Sequence, residues 1–406
     1  MKRVELVAPA GDRGSLVSAV SAGADAVYFG VKGLNMRRSA GNFDVLEIAK
    51  VMSLLHSSSK KGYLALNTMV YDGELDKARK ILDSAAAAKV DAVILWDMAV
   101  LGLVRERGMV PHLSTQASVS NFEALKAYHF LGVKRAVLAR ECSLEDVGRI
   151  SGKISENKMD ITLETFVHGA MCVSVSGRCF LSQHTFSRSA NRGDCLQPCR
   201  REYRVIDTEN HGECEYVLGE DYVMSAKDLC SLRFVDELIR SGINAFKIEG
   251  RMRSPEYVSV VTSVYRRAID AYYKGEFNEN LIQCLMEKLS GTFNRGFTEG
   301  FFFGTPEDTG ASPKRKYDKI YVGEVLKFYG KIGVAEIMVR TRGINIGDSL
   351  LVTGDKTPAG FFDVCEMQVE HSMVDSIASG SRVGVKVPFK VRRGDKVFVW
   401  EIISKQ

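Results

Sequence analysis

Six of the nine cysteines fall between residues 172 and 230: Cys172, Cys179, Cys195, Cys199, Cys214 and Cys230. Buried cysteines that serve only as small hydrophobes scatter through cores. These crowd a stretch rich in Gly and Ser, which cannot build a core of its own. Several thiolates converging on a soft metal centre would pin such a stretch. Six residues separate Cys172 from Cys179, fifteen separate Cys179 from Cys195, and three separate Cys195 from Cys199. Structural zinc favours tight Cys-x-x-Cys knuckles, and the chain has none. An iron–sulfur cluster needs thiolates but no knuckle, so a cluster is the first reading, with zinc and the absence of any metal as the alternatives. His168 and His184 flank the segment and could ligate or move a proton, although a backbone-bonded imidazole is the ordinary state. No cysteine has an evident His/Asn partner, and neither His-Glu-x-x-His nor Gly-x-Ser-x-Gly occurs, which counts against proteolysis.

The elements around this stretch follow a rhythm. Apolar runs at Val4–Val7, Ala26–Phe29, Tyr63–Asn67, Ala92–Leu95, His112–Ser114, Arg135–Leu138, Ile161–Phe166 and Ala245–Ile248 read as strands. Each but the seventh leads promptly to a helix-like segment, such as 43–57 with Ile48, Val51, Met52 and Leu55 on one face. Eight alternating units predict a (β/α)8 TIM-barrel-like domain over 1–305, with a cysteine-rich insertion over 167–230 after strand seven. An open doubly wound sheet is the rival, weakened by the lack of Gly-x-Gly-x-x-Gly after the first strand. Chemistry in such a barrel sits beyond the strands' carboxyl ends. That singles out Asn67, Asp97, Gln116, Arg140, Glu141, Glu249 and Arg251, with capping as the plain alternative for each.

The stretches Glu164-Thr165-Phe166-Val167-His168-Gly169-Ala170-Met171-Cys172 and Gly177-Arg178-Cys179-Phe180-Leu181-Ser182 resemble the signature of the collagenase-like peptidase family U32. So do Pro9-Ala10-Gly11, Gly23-Ala24-Asp25-Ala26-Val27-Tyr28-Phe29-Gly30, Asn35-Met36-Arg37 and Lys247-Ile248-Glu249-Gly250-Arg251-Met252. The resemblance covers about 1–305, and the tail is similar to the small β-barrel domain of longer members. It implies an oxygen-independent hydroxylation enzyme with a 4Fe–4S cluster on Cys172, Cys179, Cys195 and Cys230, with Cys199 the rival for the third place. It further implies 5-hydroxylation of tRNA wobble uridine with prephenate as hydroxyl source. Alternatives are rRNA or ubiquinone-ring hydroxylation, a collagenase-like peptidase, and a non-catalytic RNA-binding scaffold. Prephenate carries two carboxylates, and a guanidinium grips a carboxylate with two donors. Arg37, Arg140 and Arg251 are therefore the expected anchors, with Glu249 as a base or as the group that orients Arg251.

Residues 306–406 read differently. A polar linker is followed by short strands at 319–327, 331–338, 349–353, 362–370, 382–386 and 396–400, a small β-barrel pattern. The formal charge of +5 lies wholly in the last quarter, where residues 311–406 hold 16 Lys and Arg against 11 Asp and Glu. The basic clusters Lys314-Arg315-Lys316 with Lys319, and Lys386, Lys390, Arg392, Arg393 and Lys396, are candidate phosphate contacts for tRNA. Tyr28, Phe29 and Phe180 are candidate base-stacking groups. Cys365 reads as core. No apolar run reaches the ~18 residues of a membrane span. The first residues read as a strand rather than a signal core, so a cytoplasmic protein is expected.

Overall fold

The computed structural model describes residues 3–175, 178–201, 203–206, 215–218, 227–304, 317–370 and 372–402. Its first part is a closed parallel barrel of β1 (Glu5–Ala10), β2 (Ala26–Gly30), β3 (Lys61–Ala65), β4 (Ala92–Leu95), β5 (Pro111–Leu113), β6 (Arg135–Val137) and β7 (Thr162–Ala170), closed by a later strand. After β7 come a short hairpin of β8 (Tyr203–Ile206) and β9 (Glu215–Leu218), then β10 (Asp228–Cys230) and β11 (Ala245–Ile248). β11 pairs in parallel with both β7 and β1, which closes the eight-stranded ring.

Helices α1 (Arg13–Ser21), α2 (Ile48–Ser57), α3 (Leu75–Ala87), α4 (Met98–Glu106), α5 (Phe122–Phe130) and α6 (Leu144–Glu156) follow the first six strands. The insertion carries α7 (Leu181–Phe186), and α8 (Val235–Arg240), α9 (Pro255–Lys274) and α10 (Glu279–Ser290) complete the ring. Their apolar stripes meet the outward residues of the strands: Leu6, Ala8, Val27 and Phe29 bury against Leu16, Val51, Met52 and Leu55 in one large core. Several helices start on side-chain caps, among them Asp12, Asp97 and Asn121, whose oxygens accept backbone N–H groups.

β7 is the irregular member. It runs four residues past Phe166, through Gly169 at φ +105°, and this extension pairs antiparallel with β10. The insertion therefore leaves the barrel after Ala170 and re-enters at Asp228, so both of its ends are anchored on the barrel wall.

Alternate residues of each strand point inward. The apolar inner layer is Val7, Ala26, Tyr28, Tyr63, Ala92, Ile94 and Ala245. Small side chains leave room for an ionic network between them. Arg135 contacts Glu5 at 2.7 Å and Glu164 at 3.1 Å, and Lys247 contacts Glu164 at 2.7 Å. Unpaired, such charges would cost several kcal/mol each to bury; here every carboxylate meets two cations or a cation and the Tyr63 hydroxyl. Burial pushes the Glu5 carboxyl up, but Arg135, Lys61 and Tyr63 outweigh it and hold it at about 2.

The C-terminal part is an antiparallel sheet with its own core of Val322, Ile337, Leu350, Val385 and Val397 among others. After β12 (Phe297–Thr298), which pairs with β10, its strands are β13 (Tyr317–Tyr329), β14 (Val334–Val339), β15 (Ile344–Asn345), β16 (Ser349–Thr353), β17 (Gly360–Asp363), β18 (Met367–Val369), β19 (Ser372–Met373), β20 (Ser376–Ile377), β21 (Arg382–Lys386) and β22 (Lys396–Ile402). Eight of them run in the order β17-β16-β22-β13-β14-β21-β18-β19, and β15 pairs with β20. The expected small barrel is thus a curled sheet. The single run expected over 362–370 is two strands, split at Val364–Glu366. The sheet touches the barrel's outer helices through Lys319–Glu256 at 2.8 Å and Ala359 N donating to Ser18 Oγ at 3.1 Å.

Candidate functional site

The carboxyl ends of the barrel strands open into one cavity roofed by the insertion. Tyr28, Phe166 and Lys247 form its floor, Arg37, Asn67, Ser114, Gln116 and Arg140 its walls, and Cys172, Cys179, Cys195 and Cys199 its roof. It has about 100 Å³ open to water-sized molecules, room for one small organic molecule in place of several waters.

Glu249 is the hub of the walls. Its Oε1 lies 3.1 Å from Arg37 Nε and its Oε2 4.0 Å from Arg140. Burial raises the Glu249 carboxyl, yet Arg37, Arg140 and Arg251 together bring it down to about 2. A carboxyl that acidic is a poor proton acceptor near neutrality, so its part is to orient Arg37 rather than to act as a base. The bond expected to Arg251 is not formed: Arg251 donates instead to Asn35 Oδ1 at 3.0 Å. Three guanidiniums around one carboxylate leave two positive charges unbalanced. Burial pushes Arg251 down to about 10, the sign of a cation short of anionic partners. An anion of charge −2 would complete the site.

The glycines of the opening motifs make room for Arg251. A Cβ on Gly30 would lie 2.4 Å from its guanidinium, and a Cβ on Gly11 would lie 1.9 Å from its carbonyl oxygen. We expect Gly30→Ala to displace the Arg251 head while sparing the fold, because the clash falls on the side chains of Arg251, Asn42 and Asn35 and on no backbone atom. Its unfolding free energy from urea titration should drop by about 1–3 kcal/mol, and the affinity of the cavity for a small dianion, measured by calorimetry, should drop as well.

Four thiols share the roof. Leu181 N donates to Cys179 Sγ and Gln197 N to Cys195 Sγ, each at 3.3 Å, and Cys172 Sγ lies 3.2 Å from Ser174 Oγ. Backbone N–H groups aimed at sulfur are what a cluster-bound thiolate uses. Burial raises the Cys199 thiol, Arg200 pulls it down, and its neighbours Cys172, Cys195 and Cys179 push it up again by repulsion between thiolates, for a net upward shift. A cation among them would relieve that repulsion, so this donor set fits a thiolate-ligated metal group. Among the described residues no three His, Cys, Asp or Glu groups are gathered tightly enough for a single metal ion.

Cys230, the fourth ligand that the resemblance implies, is not among the residues lining the cavity. It is buried beneath α9 and α10, 3.8 Å from the Tyr265 hydroxyl and 3.9 Å from Met286 Sδ, and burial pushes its thiol up to about 11. The antiparallel pairing of β10 with the β7 extension fixes it there, opposite His168. Cys199 is the fourth cysteine among the cavity-lining residues, carried on the short helical turn that starts at Pro198.

A model of peptidase family U32 matches residues 11–312. This chain belongs to peptidase family U32. It is 40% identical over 405 residues to an uncharacterized protease of Methanocaldococcus jannaschii, covering 98% of both chains. It is 39% identical to a collagenase of Porphyromonas gingivalis, covering 97% of both. It is 36% identical to tRNA hydroxylation protein P1 of Bacillus subtilis, over 80% of this chain and 78% of that one.

Several other sequence candidates take plain roles in this U32 protein. Asp97 caps α4, and Glu141 is not among the lining residues of the cavity. His168 is fully buried against Tyr257, Tyr265 and Phe297; burial, helped by Arg253, takes it down to about 3, so it stays neutral. His184 is exposed on α7, away from the cavity lining. Phe29 faces the helix-side core, edge-on to Phe43 at 5.8 Å, because it alternates with inward Tyr28. Phe180 stays 71% exposed near the roof. Cys365 is exposed rather than core. In the tail, Lys319 is spent on Glu256, Lys386 donates to Ile332 O, and Arg392 donates to Lys356 O and Thr357 Oγ1. These three are structural, which thins the expected phosphate contacts. Lys314, Arg315, Lys316 and Cys214 lie outside the described residues. No helix among the described residues is long and apolar enough to cross a membrane.

Sequence reasoning passed over Lys247, which lies two residues from Glu249 and faces the same way. The period of a strand would have found it.

Proposed function

We propose that this U32 protein is an iron–sulfur enzyme that 5-hydroxylates the wobble uridine of tRNA, with prephenate as hydroxyl source. The observation that carries the reading is one cavity with four thiols above and an under-neutralised guanidinium cluster below. Cys172, Cys179, Cys195 and Cys199 would hold a 4Fe–4S cluster, which is larger than one ion and asks for more widely spaced thiolates than zinc does. The cluster would supply redox or Lewis-acid chemistry at the roof. Arg37, Arg140 and Arg251 bind the two carboxylates of the small substrate, and Glu249 holds Arg37 in place. The tRNA class is supported by the Bacillus relative and by the exposed Phe180 beside the roof, where an unpaired base can stack. Of the basic cluster in the tail, Lys390, Arg393 and Lys396 are exposed, and they suit phosphates.

A peptidase reading finds little to use. Among the described residues no histidine lines the cavity, and the Ser114 hydroxyl accepts from Asn67 Nδ2 and Gln116 N. The test is anaerobic purification with iron and sulfide analysis, joined to nucleoside mass spectrometry of tRNA from a deletion strain. A brown protein with about four irons and loss of the 5-hydroxyuridine family in the deletion are expected. A colourless zinc protein, or unchanged tRNA, overturns the proposal.

A further inference from the structure

Among the described residues, four cations line the cavity, and the fourth is an amine. Lys247 is only 4% exposed and lies on the inward face of β11, between Ala245 and Glu249. Its Nζ stands 4.2 Å from the centre of the Tyr28 ring and 5.9 Å from that of Phe166, both floor residues. A purely anchoring cation would sit among the guanidiniums. This one sits below them, between two aromatic faces, with its ammonium 2.7 Å from Glu164 Oε1.

The partners of Glu164 matter. Glu164 also accepts from Arg135 at 3.1 Å, and Arg135 is in turn paired with Glu5 at 2.7 Å. A proton passed from Lys247 to Glu164 leaves the Arg135–Glu5 pair intact and turns a charged pair into a neutral one. The net charge of the barrel interior does not change, so the transfer needs no counter-ion from solvent. Burial disfavours the Lys247 ammonium and Arg135 adds to this, while Glu164 and Glu249 oppose it; the balance lies below the ordinary lysine value. A desolvated lysine is an activated nucleophile toward carbonyl carbon.

We propose that Lys247 is a catalytic residue that forms an imine with the keto group of a 2-keto acid whose carboxylate rests on the Arg37, Arg140 and Arg251 guanidiniums. The proposal rests on the carboxylate-site reading above and deepens it, since the side chain of prephenate is itself a 2-keto acid. The step balances without oxidant or reductant. Lys247 gives one proton to Glu164, and the freed lone pair of Nζ attacks the ketone carbon. The carbonyl π pair moves to oxygen, which takes the proton back from Glu164. The second nitrogen proton and the hydroxyl then leave as water, and the C=N bond forms. Water reverses it. The imine draws electrons from the carbons beside it and so labilises bonds there, which an anchored ketone alone does less well.

The test uses the full-length protein, kept anaerobic, with pyruvate and then phenylpyruvate as probes and cyanoborohydride to trap any imine. Peptide mapping of the wild-type protein is expected to place a stable adduct on Lys247. Lys247→Arg keeps the charge and the contact with Glu164 but cannot form an imine, and labelling should fall at least tenfold. Binding of phenylpyruvate is followed in parallel by equilibrium dialysis. Binding without an adduct overturns the imine and leaves the carboxylate site standing. Neither binding nor adduct overturns both. An adduct confined to surface lysines, or one unchanged in Lys247→Arg, also overturns it.

Discussion

Cys199→Ser is expected to strip most of the iron from this protein, and Cys230→Ser to leave it in place. The family resemblance points the other way, to Cys230 as a ligand, so the pair of variants separates resemblance from geometry. Cys172→Ser, Cys179→Ser and Cys195→Ser should behave like Cys199→Ser. Metal binding at structural thiolate sites contributes ~10–16 kcal/mol in all, so each of four thiolates carries roughly 3 kcal/mol, about a hundredfold in affinity. The same loss should loosen the roof, because nothing else in 178–201 supplies a core: Phe180 and Leu196 are exposed and only Ser182, Ala190, Gly193 and Pro198 are buried among its residues. Limited proteolysis should then cut within the insertion while the barrel survives. Cys230→Ser puts a hydroxyl where a thiol packs against Tyr265 and Met286. It should cost about 1–3 kcal/mol of stability with iron per chain unchanged. Cys284 is exposed on α10, and Cys284→Ser serves as the silent control. Iron lost from Cys230→Ser and retained in Cys199→Ser would show that the family-implied set is the right one.

The difference between those two cysteines also marks what a sequence can and cannot carry. Strand and helix follow from local period, and the strands at Ala92–Leu95 and Ala245–Ile248 fall where alternation places them. The mouth residues Arg37, Arg140, Glu249 and Arg251 follow too, because a parallel barrel puts all strand ends on one side. The position of Cys230 does not follow. It depends on β7 overrunning the barrel through Gly169 to pair with β10, and that pairing is a long-range contact with no local period to announce it. The partner of Arg251 was hidden for a similar reason. Asn35 is 216 residues away, and only closure of β11 onto β1 brings the two together. The basic tail misleads differently: charge can be counted from sequence, but whether a cation faces solvent or braces a turn, as Arg392 does at Lys356 and Thr357, is decided by packing.

Arg140→Lys with Arg251→Lys is expected to abolish binding of a small dicarboxylate while the iron content and the fold persist. A lysine keeps the charge but loses the planar fork. At position 251 it also loses the contact with Asn35, and at position 140 the stacking of guanidinium on Phe166 at 4.2 Å. A hydrogen bond to a charged group is worth ~1.5–3 kcal/mol, so each substitution should weaken binding roughly 10- to 100-fold. Glu249→Gln should also weaken binding, by less than the double lysine variant. It removes the carboxylate that holds Arg37 in place, at 3.1 Å, while all three guanidiniums keep their charge and fork. The pH dependence gives a second check. Glu249 is held at about 2, well below its ordinary value of 4.5, so it remains charged from there upward. Its depressed value stabilises the folded state above about pH 4.5, and that contribution fades as the pH falls toward 2. Calorimetric affinity for the dianion should therefore show no titration from Glu249 between about pH 5 and pH 8. A step in that window that disappears in Glu249→Gln would mean the carboxyl is not charged as the three guanidiniums require. Dianion affinity within twofold of wild type in the double lysine variant would remove the clamp altogether, and with it the reason for prephenate.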